Sequence, residues 1–201
     1  MIRLSVSDLE TYRYWAARED STIEELVAEL SGVAEPSHQM LASRAFHKAL
    51  EELAVTDVHV LEQDGYRFDF QIEGELFVPA IRELKAEKPW MTPSGPVTLV
   101  GKVDALHGRT VRDYKLSERF EAERYTDSYQ WRAYLAMFNC RRFVYDVFQC
   151  RYDTRDPTRV VIFDLHHFPL DAYPDMLVDL DCVIDELAEI VVKHVPQKVA
   201  A

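Results

Sequence analysis

An α/β fold, with a β-sheet flanked by helices, extra helices at the N-terminus and a long helix at the C-terminus, follows from three features of this sequence. Residues 99–105 and 109–116 are strand candidates, each bearing an aspartate, joined by a turn at Gly108 and followed by an amphipathic helix. Residues 142–151 and 158–168 are two more strand candidates, rich in Val, Phe, Tyr and Ile, with a turn over 153–157. Met176, Leu180, Ile184, Leu187, Val191 and Val195 then repeat at helical spacing. With 201 residues, 48% hydrophobic and 29% charged, the chain has the size and composition of one globular domain that buries a full core. No apolar run approaches the roughly 20 residues of a membrane span. The opening MIRLSVSDLETYRYW lacks the apolar middle and cleavage site of a signal peptide, which points to the cytoplasm.

In chain order, Ser7-Asp8-Leu9-Glu10 and Ser21-Thr22-Ile23-Glu24 have capping-box spacing and predict the starts of two short helices. Leu9, Tyr12 and Trp15 give the first an apolar face; Ile23, Leu26, Val27 and Leu30 give the second, with Gly32 as its stop. After the break at Glu35-Pro36-Ser37 a third helix is predicted to about Ala54. It buries Ala42, Phe46, Leu50 and Leu53, and places His47 and Glu51 one turn apart on one face. Asp64-Gly65 marks a turn between strands at 57–61 and 66–72. Residues 76–84 fit helix or strand, and an extended stretch leads to a loop at 93–96. Glu73, Glu75 and Glu83 read as solvated, with one of them as an outer ligand the alternative. The helix after the hairpin is predicted from about Glu121 to Asn139, with Trp131, Leu135 and Phe138 in one apolar line and Gln130, Tyr134 and Met137 in the next. His166 and His167, adjacent in a strand, face opposite sides and read as structural. Pro174 suits the first turn of the last helix, whose acids form a solvated face, and the tail after Pro196 is predicted to fray.

The hairpin turn governs what the two aspartates can do. If His107-Gly108 is a two-residue loop, Leu106 pairs with Arg109 and Asp104 lies opposite Val111. Alternation then projects Val111, Asp113 and Lys115 to one side. Asp104 and Asp113 become diagonal neighbours on that side, roughly 7–8 Å apart, near enough to hold one cation. A loop one residue longer would send Asp113 to the other face.

Gly101-Lys102-Val103-Asp104 reads as G-x-x-D, Asp113-Tyr114-Lys115 as D-x-K, and Gln130 with Tyr134 as Q-x-x-x-Y. These three in this order, preceded by the helical His47, resemble the RecB-like branch of the PD-(D/E)XK nucleases over roughly residues 5–142. The resemblance implies a restriction-endonuclease-like mixed sheet, with a strand ahead of the G-x-x-D hairpin. The single domain would comprise N-terminal helices (1–36), a catalytic core (37–151) and a C-terminal strand and helix (152–201). It also implies a divalent-metal-dependent DNA nuclease, expected to be an exonuclease, that hydrolyses phosphodiester bonds in recombination, repair or phage DNA processing. In that reading Asp104, Asp113, Lys115 and Gln130 are catalytic, and His47, Asp104, Asp113 and the Tyr114 carbonyl hold Mg²⁺ or Mn²⁺. Tyr134, Arg119 and Arg124 bind substrate. Two departures stand out: Ser43 occupies a place near His47 where relatives carry glycine, and many relatives have glutamate at the position of Asp113. Some relatives carry four cysteines that hold an iron–sulfur cluster. This chain has three, Cys140, Cys150 and Cys182, with no C-x-x-C pair, so no cluster is expected.

Net charge is −12, which taken alone argues against a nucleic-acid partner. The distribution differs from the sum: Lys102 to Arg142 holds nine Lys/Arg against six Asp/Glu, a balance of +3, leaving −15 elsewhere. Arg119, Arg124, Arg132, Arg141 and Arg142 then read either as solvated charges or as a groove that guides phosphates. Expected partners are DNA and, on a separate chain, a helicase, recombinase or other protein; no membrane is expected. Phosphate-loop, serine-elbow and zinc-helix motifs are absent from the sequence. The rival reading is a catalytically degenerate nuclease fold acting as a non-enzymatic DNA- or protein-binding subunit.

Overall fold

In the computed structural model, which describes residues 1–33, 35–73 and 75–199, the chain begins with a strand rather than a helix. Ile2 and Leu4 are buried and Arg3 is exposed, and Ile2–Ser5 forms β1, an element the sequence reading lacks. Ser5 then caps α1 (Val6–Ala16): its hydroxyl accepts from the Asp8 N–H, and the Asp8 carboxylate accepts from the Ser5 N–H. In α2 (Ile23–Leu30) the reciprocal pair is Thr22 and Glu25. Both capping boxes differ from the predicted ones, because Ser5 and Thr22 are the residues with the extended backbone that a cap requires. Ser37 caps α3 (His38–Glu51), which ends short of the predicted Ala54.

β2 (Val60–Gln63) and β3 (Tyr66–Phe70) form a hairpin across Asp64 and Gly65, both with positive φ. The stretch with mixed signals resolves as a strand: β4 (Ile81–Thr92) pairs with β5 (Gly95–His107) along almost its whole length. β6 (Thr110–Ser117) follows. The single helix predicted next is two, α4 (Ala122–Thr126) and α5 (Tyr129–Phe138), because the Ser128 hydroxyl accepts the Gln130 N–H and starts α5 afresh. β7 (Arg142–Tyr152), β8 (Arg159–Asp171) and α6 (Met176–His194) complete the fold. The tail does not fray through Val199. Val199 bridges Ile2, Lys198 pairs with Asp8 at 2.8 Å, and Gln197 Nε2 donates to Ser31 Oγ at 2.6 Å.

These elements build the expected mixed sheet flanked by helices. β5 pairs antiparallel with β4 along one edge; along the other it takes β1 in parallel and β6 antiparallel, and the order continues β6-β7-β8-β3-β2. One face packs Leu99, Phe143 and Tyr145 against Leu9, Leu26, Leu135, Leu180 and Ile184 from α1, α2, α5 and α6. The opposite face packs Phe68, Phe148 and Ile162 against Phe46 and Leu50 of α3. Each helix is held by the apolar stripe it buries.

Candidate metal centre

Opposite its β4 edge, β5 is paired with β1 from Val97 to Val100 and with β6 from Ala105 to His107. Between them, Gly101 to Asp104 have no strand partner on that edge among the described residues, so the sheet opens there. β6 diverges beyond Arg112 and follows β7.

The hairpin loop is Gly108-Arg109, with His107 paired to Thr110. Gly108 has φ +58°, the conformation a two-residue turn asks of glycine at its first position. The register is therefore shifted by two residues from the predicted one: Val111 pairs with Leu106 rather than Asp104, and the ladder ends at Ala105 and Arg112, one residue short of Asp104 and Asp113. A shift of two preserves which face each side chain takes, which is why the site survives the misplaced loop. A further departure lies within β5. Val103 packs on the α1/α5 side and Ala105 on the α3 side, although residues two apart share a face in a regular strand. β5 changes face at Asp104, and opposite it Glu83 in β4 has φ +54°.

Side chains from both faces meet in this opening. From α3, His47 Nδ1 lies 3.1 Å from Asp104 Oδ1, and the Tyr114 N–H donates to Asp104 Oδ2 at 2.6 Å. From α5, Gln130 Nε2 donates to Asp113 Oδ1 at 2.9 Å. The Lys115 ammonium sits 2.6 Å from the buried Asp113 Oδ2 and is the one partner that oxygen has among the described residues. Gln130 is itself anchored: Glu10 Oε1 accepts from the Gln130 N–H at 3.0 Å and from Ser128 Oγ at 2.9 Å. Tyr134, 5% exposed, donates its hydroxyl to the Lys102 carbonyl at 2.7 Å and lies over Gly101. A Cβ on Gly101 would come within 2.7 Å of the Tyr134 ring and 2.9 Å of Val6. Close approach of α5 and α1 is thus the physical demand behind the glycine of G-x-x-D.

Burial and charge pull these groups in opposite directions. Burial raises the Asp113 carboxyl to about 6, with Asp104 adding to the rise and Lys115 opposing it. Burial also penalises the charged form of Asp104, but His47, Lys115 and the Tyr114 N–H together hold it below the usual carboxylate range. His47 is disfavoured as a cation by burial and favoured more strongly by Asp104, so it titrates above its ordinary value. Lys115 likewise stays an ammonium, since Asp113 outweighs the cost of burial.

The structure therefore brings together His47, Asp104, Asp113, Lys115 and Gln130. Tyr114 contributes its backbone, its ring being buried on the α3 side. Tyr134 supports the site from behind and lines a groove with Lys102 and Gln130. Arg124 lines another groove with Lys115, its Nε 3.1 Å from the Tyr14 hydroxyl; Arg119 lies farther along, beyond Ser117. Glu51 is exposed at the rim of a cavity of about 740 Å³ that also contains Ser7, His47, Asp104 and Lys115. Sequence reasoning missed a site role for Ser7, Glu10 and Ser128. Glu10 meets Ser128 and Gln130 across 118 and 120 residues, a separation that leaves no local pattern. Glu83, read as solvated with an outer ligand as the alternative, has a side chain only 13% exposed and lines the same cavity.

The donor chemistry fits a hard divalent cation: two buried carboxylates, one with an oxygen held only by an ammonium, beside an imidazole. Among the described residues no three His, Cys, Asp or Glu side chains already stand as a metal-binding group, so further donors have to come from backbone, water or a side chain that moves. No protein-family model matches the sequence, and no curated protein matches it. A solved structure described as "Crystal structure of SSO0001" is similar, with a TM-score of 0.52 over 96% of this chain and 76% of that one, at 15% identity. At that identity the likeness is one of fold alone.

Proposed function

We propose that this chain is a divalent-metal-dependent DNA nuclease of the RecB-like PD-(D/E)XK kind, acting on phosphodiester bonds from DNA ends. The observation that carries the reading is the meeting of Asp104, Asp113 and Lys115 in one opening of the sheet, with Asp113 Oδ2 buried and met only by the Lys115 ammonium. Asp104 and Asp113 would hold Mg²⁺ or Mn²⁺, with the Tyr114 carbonyl and His47 as further donors. When bound, the cation supplies Lewis-acid polarisation of the phosphate and a lowered pKa for a coordinated water. Lys115, held as an ammonium, neutralises charge as the water oxygen bonds to phosphorus and the bond to the leaving sugar oxygen breaks. Its protonated state makes it a poor base. Gln130 fixes Asp113 through Oδ1, leaving Oδ2 to the cation, and is fixed in turn by Glu10. The Tyr114 N–H and His47 orient Asp104 in the same way. Arg124, in the groove it shares with Lys115, and Arg119 beyond Ser117 would meet the DNA backbone despite the net charge of −12.

End-labelled linear and closed circular DNA, single- and double-stranded, incubated with Mg²⁺ or Mn²⁺, tests this. Linear forms are expected to be degraded by the wild type and spared by Asp113→Ala and Lys115→Ala, both with unchanged circular dichroism. Intact substrates throughout would move the protein to the non-catalytic DNA- or protein-binding reading.

A further inference from the structure

Glu83 occupies a backbone conformation that glutamate rarely adopts. In β4 its neighbours Arg82 and Leu84 pair with Ala105 and Val103, so Glu83 faces Asp104, yet the ladder omits that pair. Its φ of +54° is left-handed, which costs a residue with a Cβ and is common only for Gly, Asn and Asp. Ile81, Leu84 and Lys85 around it are exposed, whereas the Glu83 side chain is 13% exposed and its Oε2 is buried with no hydrogen bond. Its charge is met by the Lys102 ammonium, on a side chain that is itself 48% exposed. An ion pair made for surface stability needs neither a strained backbone nor a withdrawn carboxylate. The carboxylate lines the cavity that holds His47, Asp104 and Lys115, and strain of this kind persists where a site requires it.

Resting on the nuclease reading above, we infer that Glu83 is a third carboxylate of the cation site, drawn toward Asp104 from β4 when the ion binds, since no three such side chains among the described residues are grouped beforehand, and with the Lys102 ammonium standing in for the ion until then. Lys102 also lines the neighbouring groove with Ser5, Ser7 and Tyr134. Released from Glu83, its ammonium turns into that groove and meets a substrate phosphate. The same contact that neutralises the acid in the metal-free protein thereby becomes a substrate contact in the loaded one.

Calorimetric titration of Mn²⁺ into the full chain, without DNA, tests the inference. Glu83→Gln and Glu83→Gly are each expected to weaken Mn²⁺ by about tenfold or more. Metal-free Glu83→Gly, which relieves the left-handed backbone, is expected to melt at or above the wild-type temperature. Adding Lys102→Met to Glu83→Gln restores the charge balance of the pocket; Mn²⁺ stays weak if Glu83 is a ligand and recovers if Glu83 only balances charge, which overturns the inference. Wild-type affinity in both Glu83 variants, alongside loss in Asp113→Asn, overturns the role of Glu83 and leaves the nuclease reading standing. No uptake of Mn²⁺ by the wild type overturns both.

Discussion

Asp113 bears the conflict on which the site is built, a carboxylate buried beside a second carboxylate and held by one ammonium. Its folded value of about 6 lies above the roughly 3.9 of an unfolded chain. The folded protein therefore binds that proton more tightly than the unfolded one. The stability it contributes is complete below about pH 4 and is lost as the pH rises through about 6. Asp104, held below the usual range, runs the other way: its contribution is present above the unfolded value and disappears in acid. Asp113→Asn is neutral at every pH and keeps an oxygen for Gln130. In metal-free protein it is expected to melt a few degrees above wild type near pH 8, with the gap closing toward about pH 4. Thermal melts across that range check this, and an Asn variant that melts below wild type near pH 8 would show that the Lys115 pair outweighs the burial cost. At this scale most of the site was legible. Asp104, Asp113, Lys115, Gln130 and Tyr134 fall in short patterns, because one strand or one helix turn sets their spacing. Glu10 was not legible, and Glu83 could not be told apart from Glu73 and Glu75 as an outer ligand, because such roles arise from contacts made only in the folded chain.

Between β1 and β6 the opening in the sheet makes room for the site, and Gly101 sits at its edge. Tyr134 and Val6 close over that glycine so tightly that a methyl group has no place. Gly101→Ala is expected to cost about 1–3 kcal/mol by overpacking and to displace Tyr134 from the Lys102 carbonyl. Chemical denaturation measures the cost, and a loss below about 0.5 kcal/mol would mean that α5 shifts freely over β5. The hairpin that bears both aspartates was legible from Gly108 and the flanking β-branched residues, but its register was not. Gly108 fits either of the two loop positions, and only the pairing of His107 with Thr110 decides between them. The break between α4 and α5 was chemically visible in Ser128, a good cap, but the apolar period of Trp131, Leu135 and Phe138 masked it. β1 escaped notice because four residues are too few for alternation to speak clearly; β5 supplies the pairing that makes Ile2–Ser5 a strand.

Across the whole molecule, two apolar cores hold the sheet between α3 on one face and α1, α2, α5 and α6 on the other. Helices on opposite faces would ordinarily never touch. Here they meet through the opening beside Gly101 to Asp104, so His47 and Gln130 grip adjacent carboxylates from the two sides. The strands and their flanking helices were legible from apolar periodicity, which is a local property, whereas the mixed character of the sheet was expected only from the resemblance. The strand order was not, because parallel pairs such as β6 with β7 and β3 with β8 join segments far apart in the chain. The fold places two acids, an ammonium and an imidazole together, and the account stands on their holding a divalent ion. Anomalous diffraction from crystals soaked in Mn²⁺ measures this directly. A manganese peak is expected about 2.0–2.6 Å from oxygens of both Asp104 and Asp113. A fully soaked crystal with no peak between those carboxylates, or with manganese only elsewhere, would contradict it.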